Sequence, residues 1–339
     1  MEKIVIAIDS LGGDNGSEFV VLGVSQAIKK YDDIDIVITG NEKEIKSYMQ
    51  KYECDENRVK VINTTEIITC HDSPVKAVRE KKDSSMVVAL NQIKEKKASA
   101  CISAGNTGAL LAGGQFVVGR TKGVKRTPLA PLIPTEKGST LLVDCGANVD
   151  AKPEYLVQFA KMGSIYMENI EGKKNPKVAI VNIGAEDEKG NALVKETIPL
   201  LRECSDINFI GSIEARDIPS GEADVIVCDA FVGNVILKFF EGVGSMFMSE
   251  IKGALKTNLL SKIGAAFIMK PLKKRLKRFK ADDKGGAPLL GLKGLVVKIH
   301  GNSKQNEVRT AIEQCRAFVL NDVNKKILEA FEKADKNEE

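Results

Sequence analysis

Five polar segments that contain glycine could together bind an anion, since each follows a short run of β-branched residues and precedes a helical stretch. Backbone N–H groups at the start of a helix favour negative charge, as an oxyanion such as phosphate requires. One such segment alone would be an ordinary turn that caps a helix, but five together favour a shared anion site. The segments are residues 9–15, 103–108, 144–150, 182–191 and 229–234.

The predicted anion is not a nucleotide, because neither common fingerprint for nucleotide phosphates occurs. The chain has no GxxxxGK[ST] motif. The sequence GGDNG at 12–16 lacks the GxGxxG spacing of dinucleotide-binding loops.

Two side chains of these segments could act on a bound anion. Lys189 is the one lysine in the five segments, and its ammonium could neutralise a phosphate or a developing oxyanion. A solvated turn lysine is the alternative reading. Asn234 lies where a strand is expected to give way to a helix, so it could cap that helix or donate its amide to a carbonyl oxygen.

Four aspartates of the same segments raise the alternative of a divalent-metal site. They are Asp9, Asp14, Asp144 and Asp150. Each stands near Gly or Asn at the expected start of a helix, where Asp commonly caps. We therefore favour capping and bracing of the loops, and we predict no metal and no cofactor.

Cysteine and histidine offer little other catalytic material. The seven cysteines are dispersed without a CxxC pair, and the two histidines, His71 and His300, form no HExxH motif or Cys/His cluster. Cys145 and Cys228 follow predicted strands and could be nucleophiles, but free cysteine is most often buried, so we favour packing. The composition argues against a zinc enzyme and against a His-based triad.

The elements that must position these segments alternate between strand and helix. This pattern predicts an α/β fold with a doubly wound, mostly parallel sheet, in one α/β/α catalytic unit over residues 1–339. The carboxyl ends of parallel strands share an edge, so the five segments should converge on one crevice. Strands are predicted at 4–8, 34–38, 59–62, 98–102, 140–143, 178–181, 207–210, 225–227 and 295–299, and helices at 18–30, 84–96, 154–168, 193–203 and 306–331.

A basic amphipathic helical segment is predicted at residues 244–284. Residues 251–280 contain ten basic and no acidic side chains, so the rest of the chain carries 40 basic against 46 acidic residues. An apolar stripe recurs at every fourth position, and helices in an anionic membrane interface have this composition. A helix pair packed against a partner subunit is the alternative. Nucleic acid is disfavoured because the segment has no Tyr or Trp. The stripe is Leu255, Leu259, Ile263 and Phe267, followed beyond Pro271 by Leu272, Leu276 and Phe279.

The apolar run nearest the N-terminus, residues 4–8, is too short for a signal peptide or a membrane span. We therefore expect a cytoplasmic protein, and the basic segment adds the expectation of peripheral association with membrane.

Taken in order, the motifs resemble those of the bacterial phosphate acyltransferase family over nearly the whole chain. They are IDSLGGDN at 8–15, SAGNTGA at 103–109, GANVD at 146–150, NIG at 182–184, KGN at 189–191, NFIG at 208–211, FVGNV at 231–235 and GGAPLLG at 285–291.

The resemblance implies a reaction, a fold and partners. The reaction is transfer of a long acyl chain from acyl carrier protein to inorganic phosphate, and the acyl phosphate would supply a downstream glycerol-3-phosphate acyltransferase of phospholipid synthesis. The fold would be that of isocitrate and isopropylmalate dehydrogenases and phosphate acetyltransferases, in a homodimer. Acidic acyl carrier protein could dock on the basic segment, whose protruding tip would contact membrane.

The resemblance also implies residue roles. Lys189 and Asn234 would position phosphate and stabilise the oxyanion. The residues lining the anion site would be Gly12, Gly13, Asp14, Ser103, Asn106, Thr107 and Asn148.

The residue types suit this reaction independently. A thiol with a pKa of about 8.5 leaves as a thiolate with little acid help, and phosphate already carries a nucleophilic oxygen. Orientation and oxyanion stabilisation can then supply most of the catalysis, so a chain poor in histidine is not at a disadvantage.

The rival readings are a metal-dependent hydroxyacid dehydrogenase on the same fold and a non-enzymatic scaffold recruited to membrane.

Overall fold

The structure, a computed structural model, describes residues 3–276 and 285–337. The strands are β1 (Ile4–Asp9), β2 (Ile34–Gly40), β3 (Val59–Asn63), β4 (Ala100–Ser103), β5 (Leu132–Thr135), β6 (Gly138–Val143), β7 (Lys177–Asn182), β8 (Asn208–Glu214), β9 (Val225–Val227), β10 (Ala287–Leu289) and β11 (Leu295–Lys298). The helices are α1 (Gly16–Lys30), α2 (Glu42–Lys51), α3 (Pro74–Glu80), α4 (Ser85–Lys94), α5 (Thr107–Gly113), α6 (Pro153–Asn169), α7 (Ala192–Glu203), α8 (Ala230–Ala254), α9 (Leu259–Leu276), α10 (Gln305–Leu320) and α11 (Val323–Asn337).

The first sheet combines the N-terminal strands with two strands from the end of the chain, in the order β10-β11-β4-β1-β2-β3. Only β10 is antiparallel to its neighbour. Its central strands are almost entirely buried and rich in isoleucine, as a parallel sheet covered on both faces requires. The register places Asp9 beside Ser103 and Ser103 beside Lys298, so three polar residues stand side by side at the carboxyl edge.

The second sheet has the order β5-β6-β9-β7-β8 and is built from the middle of the chain. Only β5 is antiparallel to its neighbour. One buried apolar cluster contains residues of both sheets, among them Ile102 and Val143, together with Phe159 of α6. The predicted α/β class with mostly parallel strands is therefore confirmed, and the strands divide between two sheets. The short antiparallel edge strands β5 and β10 were not predicted, because each has only three or four residues and contains a proline.

The predicted helix at 306–331 is wrong in its length, because it consists of two helices. α10 ends at Leu320 and α11 begins at Val323. Between them Asp322 has a φ of 52°, in the left-handed region that Asp and Asn tolerate better than most residues. The break lets α11 pack against α6.

The predicted segment 244–284 comprises the end of α8, all of α9 and residues outside the described range, Phe279 among them. Leu255 caps the end of α8, and a turn separates it from α9, so the expected stripe is not on one helix. Leu259, Ile263 and Phe267 do share α9, where they are 73%, 51% and 80% exposed.

Helix α8 would be long and apolar enough to cross a membrane, by its length and composition alone. Its first turn, however, packs against the body of the molecule, because Gly233 lies directly over the backbone oxygen of Asp144. Later turns of α8 leave large apolar side chains such as Phe239 and Phe247 exposed.

Candidate functional site

The loops that follow β1, β4 and β11 interlock at the carboxyl edge of the first sheet. A Cβ atom on Gly12 would lie 2.6 Å from the Cα atom of Gly105, so the first two loops can approach this closely only without a side chain. The backbone N–H of Asp14 donates to the oxygen of Gly301 at 2.7 Å. Gly13 lies against the same Gly301 oxygen. Three of the predicted anion-site residues, Gly12, Gly13 and Asp14, are thus brought against the loops of the neighbouring strands.

A buried carboxylate holds these loops in place. Asp9, which is 2% exposed, accepts hydrogen bonds from Ser85 Oγ at 2.5 Å and from Ser103 Oγ at 2.6 Å. Ser103 Oγ in turn accepts the N–H of Gly105 at 3.0 Å. The predicted anion ligand Ser103 therefore has its hydroxyl engaged in bracing the loop.

Helix α5 begins at the end of this loop. Asn106 Oδ1 accepts the backbone N–H of Ala109 at 3.0 Å, and its Nδ2 donates to the oxygen of Thr69 at 3.1 Å. Asn106 thus acts as the helix cap, and the next residue, Thr107, reaches the cleft described below.

The loop after β6 is organised by a second buried aspartate. Asp144 has no exposed surface and accepts the backbone N–H groups of Leu129, Ala147 and Asn148, at 2.8 to 3.1 Å, and the side-chain amide of Asn148 at 2.7 Å. Burial raises the pKa of Asp144 to about 6, although these hydrogen bonds oppose the shift. Asn148, a predicted anion ligand, has its amide committed to Asp144 and to the oxygen of Thr127.

Asp229, not Asn234, caps helix α8. Its Oδ1 accepts the N–H groups of Phe231 and Val232 at 2.9 and 3.0 Å. Asn234 lies in the second turn of α8 and faces the cleft.

A cleft of about 170 Å³ lies between the two groups of loops. Two of the predicted site residues line this cleft. Thr107 comes from a loop of the first sheet, and Asn234 comes from the helix that follows a strand of the second sheet. The polar and charged lining of the cleft is Thr107, Asn234, Lys238, Glu241, Lys298, His300, Ser303 and Glu307.

Lys298 is a residue of the cleft that the sequence analysis missed. Its Nζ donates to the oxygen of Ala104 at 3.1 Å and to the oxygen of Ile299. Burial lowers the pKa of Lys298 to about 8, with the nearby Asp9 carboxylate opposing the shift. The signal was available in the sequence, because a lone lysine interrupts the apolar run LVVKI, but that run was treated only as a strand.

Lys189 lies in a different place. Its Nζ forms an exposed ion pair with Glu186 at 2.9 Å. Its loop borders an apolar groove of about 320 Å³ formed with Val232, Val235 and Ile236, on another side of α8 from the cleft. The structure therefore does not bring Lys189 and Asn234 into one cavity, although both flank the start of α8.

Cys145 and Cys228 are buried, with 3% and 4% of their surface exposed. Burial raises the pKa of both thiols well above the ordinary value, so neither is suited to act as a thiolate nucleophile. In residues 3–276 and 285–337, no three His, Cys, Asp or Glu side chains gather closely enough to hold a metal ion.

Comparisons with known proteins agree with this architecture. A family described as "fatty acid synthesis protein" matches residues 4–326. A phosphate acyltransferase of Clostridium botulinum (strain Loch Maree / Type A3) is 48% identical over 329 residues, which cover 97% of both chains.

Solved structures share the fold at much lower identity. A phosphotransacetylase from Streptococcus pyogenes superposes with a TM-score of 0.62 at 16% identity, covering 94% of both chains. A protein described as a 4-hydroxythreonine-4-phosphate dehydrogenase from Salmonella typhimurium gives a TM-score of 0.50 at 12% identity, covering 94% of this chain and 99% of that one. These likenesses show the fold alone, and they confirm the predicted fold class, which phosphotransacylases and dehydrogenases share. By the extent of its match to the curated relatives, the chain belongs to the bacterial phosphate acyltransferase family.

Proposed function

We propose that this phosphate acyltransferase uses long-chain acyl-acyl carrier protein and inorganic phosphate, and that its acyl phosphate enters phosphatidic acid and phospholipid synthesis. The observation that carries the proposal is the cleft between the two sheets, where an amide donor and lysine side chains meet in a chain 48% identical to phosphate acyltransferases. The proposed reaction needs these groups and needs no strong base.

The reaction balances without a cofactor. A phosphate oxygen attacks the carbonyl carbon of the thioester, and a C–O bond forms while the carbonyl oxygen becomes an oxyanion. The C–S bond then breaks, which restores the carbonyl and releases the carrier thiolate. Holding both reactants in one cleft supplies the orientation that such a transfer requires.

Asn234 is the proposed oxyanion donor, because its amide lines the cleft and Asp229 already caps the helix. Lys189, whose loop borders the groove on the other side of α8, is proposed to neutralise negative charge on the phosphate or the oxyanion. That groove is mostly apolar and supplies the surface that an acyl chain needs. The two residues would then meet one substrate that passes the start of the helix.

Trapping with hydroxylamine tests the proposed reaction directly, because acyl phosphates react to give hydroxamates. Purified protein with palmitoyl-acyl carrier protein and phosphate should form hydroxamate and release one carrier thiol for each acyl group transferred. Because hydroxylamine also cleaves thioesters directly, omitting phosphate should reduce both products to that uncatalysed background. Thiol release without hydroxamate would identify a thioesterase and overturn the proposal.

The same assay separates the rival reading. A metal-dependent hydroxyacid dehydrogenase would reduce a nicotinamide cofactor on addition of a divalent metal and would form no hydroxamate. No observation in the described residues favours that alternative over acyl transfer.

Membrane contact, dimerisation and a cytoplasmic location are further parts of the proposal. On α9 the exposed Leu259, Ile263 and Phe267 are accompanied by lysines and, within α9, by no acidic residue, which suits an anionic lipid surface. A second copy of the chain could cover exposed apolar side chains of α8, such as Val235 and Phe239. Acyl carrier protein and the downstream glycerol-3-phosphate acyltransferase are the proposed protein partners.

A further inference from the structure

Lys298 stands at the end of a strand where an apolar residue would be expected. The three preceding residues of β11, Leu295, Val296 and Val297, are no more than 1% exposed. Strand pairing places Lys298 beside Ser103, whose hydroxyl donates a hydrogen bond to the buried Asp9. The backbone therefore determines where the lysine lies, in the cleft between the sheets.

The contacts of Lys298 leave part of its binding capacity for a ligand. An ammonium group has three N–H donors, and the structure pairs Nζ with two backbone oxygens, those of Ala104 and Ile299. Among the described residues, no carboxylate lies within ion-pair distance of Nζ. The neighbouring cation in the cleft, Lys238, is instead paired with Glu241 at 2.8 Å.

We propose that Lys298 binds the phosphate substrate, with its third N–H donated to a phosphate oxygen opposite Asn234. This inference rests on the proposed function, because it assigns the anion of that reaction to a position. Two backbone carbonyls and the strand hold the ammonium in place before the substrate arrives, and a dianion would compensate for the burial of its charge.

The proposal has a pH signature, because only the protonated amine can bind phosphate in this way. The pKa of Lys298 in the free protein is about 8, so phosphate affinity should fall as the pH rises through that value. Inorganic phosphate gains negative charge as the pH rises, so its own titration cannot cause this fall. The other charged groups facing the lysine are Asp9 and Asp14 from the first loop, Lys238 and Glu241 from α8, His300 after β11 and Glu307 of α10.

Three variants test the assignment. Lys298→Met should raise the KM for phosphate about 10- to 100-fold, the range expected for loss of a charge-assisted hydrogen bond, and should change the KM for the acyl carrier substrate little. Lys298→Arg keeps its charge at all relevant pH values, so it should retain phosphate binding and lose the fall in affinity near pH 8. Lys293→Met is the matched control, since Lys293 is exposed and precedes the opposite end of β11.

Thermal stabilisation by inorganic phosphate gives a second readout that does not depend on turnover. Lys298→Met protein should lose most of this stabilisation, and Lys293→Met protein should keep it. If Lys298→Met does not fold, the comparison of wild type with Lys298→Arg from pH 7 to 9.5 decides the question.

The inference fails if folded Lys298→Met has a phosphate KM within twofold of the wild type, or if wild-type affinity does not change across pH 8. These outcomes leave the proposed function intact when the wild type still forms hydroxamate that depends on phosphate. A wild type that forms none would overturn the proposed function, and phosphate stabilisation would still test Lys298.

Discussion

The cleft and the helical arm, which comprises the last turns of α8 and all of α9 (residues 242–276), are packed in opposite ways. Glycines near the cleft have no spare room, since a Cβ atom on Gly12 or Gly233 would overlap neighbouring atoms. In the arm, a Cβ atom on Gly242, Gly253 or Gly264 would meet nothing within 4 Å. The cleft is therefore fixed by its own close contacts, while the glycines of the arm have open space around them.

The largest expected effect comes from filling the tight contact at Gly233. A Cβ atom there would lie 1.9 Å from the backbone oxygen of Asp144, so Gly233→Ala must displace either the start of α8 or the loop after β6. We expect a loss of about 3 kcal/mol in the free energy of unfolding, measured with urea. Gly242→Ala on the same helix is the matched control and should instead stabilise by about 0.5 to 1 kcal/mol. Similar values for both variants would show that the two regions are not packed differently.

The side chains at the cleft give the next largest effect, on turnover. Asn234→Ala should lower kcat for hydroxamate formation about 100-fold or more, the usual cost of removing an oxyanion donor, with little change in unfolding free energy. Asn234 is exposed, and among residues 3–276 and 285–337 its side chain has no hydrogen-bond partner. Near-normal turnover of Asn234→Ala would remove this residue from the proposed mechanism.

Lys189 tests whether the groove serves the same reaction as the cleft. Lys189→Ala should reduce kcat/KM about tenfold or more, while Lys195→Ala, an exposed lysine of α7, should leave it unchanged. Unaltered kinetics would mean that Lys189 is a solvated turn residue paired with Glu186.

The sequence predicted the parts of this comparison that depend on local pattern. Alternating strands and helices indicated the fold class, and of the five glycine segments those at 9–15 and 103–108 do pack closely together, whereas the segment at 182–191 borders a separate groove. Which polar side chains remain available to a ligand depends on long-range contacts. Ser103 and Asn148 fit an anion site by type, but their side chains hold loops through the buried Asp9 and Asp144. Lys298 was visible in the sequence as a lysine that interrupts an apolar run, but its position beside Ser103 follows only from the strand register.

The difference between local pattern and long-range contacts also explains why the predicted stripe of the arm is broken and why Lys189 lies apart from Asn234. Spacing of four predicted one helical stripe from Leu255 to Phe267, but the turn between α8 and α9 depends on the backbone and removes Leu255 from it. Lys189 follows β7 and Asn234 follows β9, which are neighbours in the second sheet, yet the loop of Lys189 borders a groove across α8 from the cleft that Asn234 lines. Neither outcome has a signal in residue spacing.

The smallest effect on the enzyme itself should come from changes at the arm, because its exposed side chains support no other part of the described structure. Leu259→Glu/Phe267→Glu should reduce flotation with vesicles of phosphatidylglycerol and phosphatidylcholine about tenfold, since it removes two apolar contacts and adds two charges that anionic lipid repels. Turnover on soluble acyl carrier substrate should stay within about twofold of the wild type. Leu320→Glu, which alters an exposed leucine at the end of α10, is the control and should float normally. If the double variant floats as well as the wild type, the arm does not bind lipid through α9, and its apolar side chains are left to a protein partner such as a second copy of the chain.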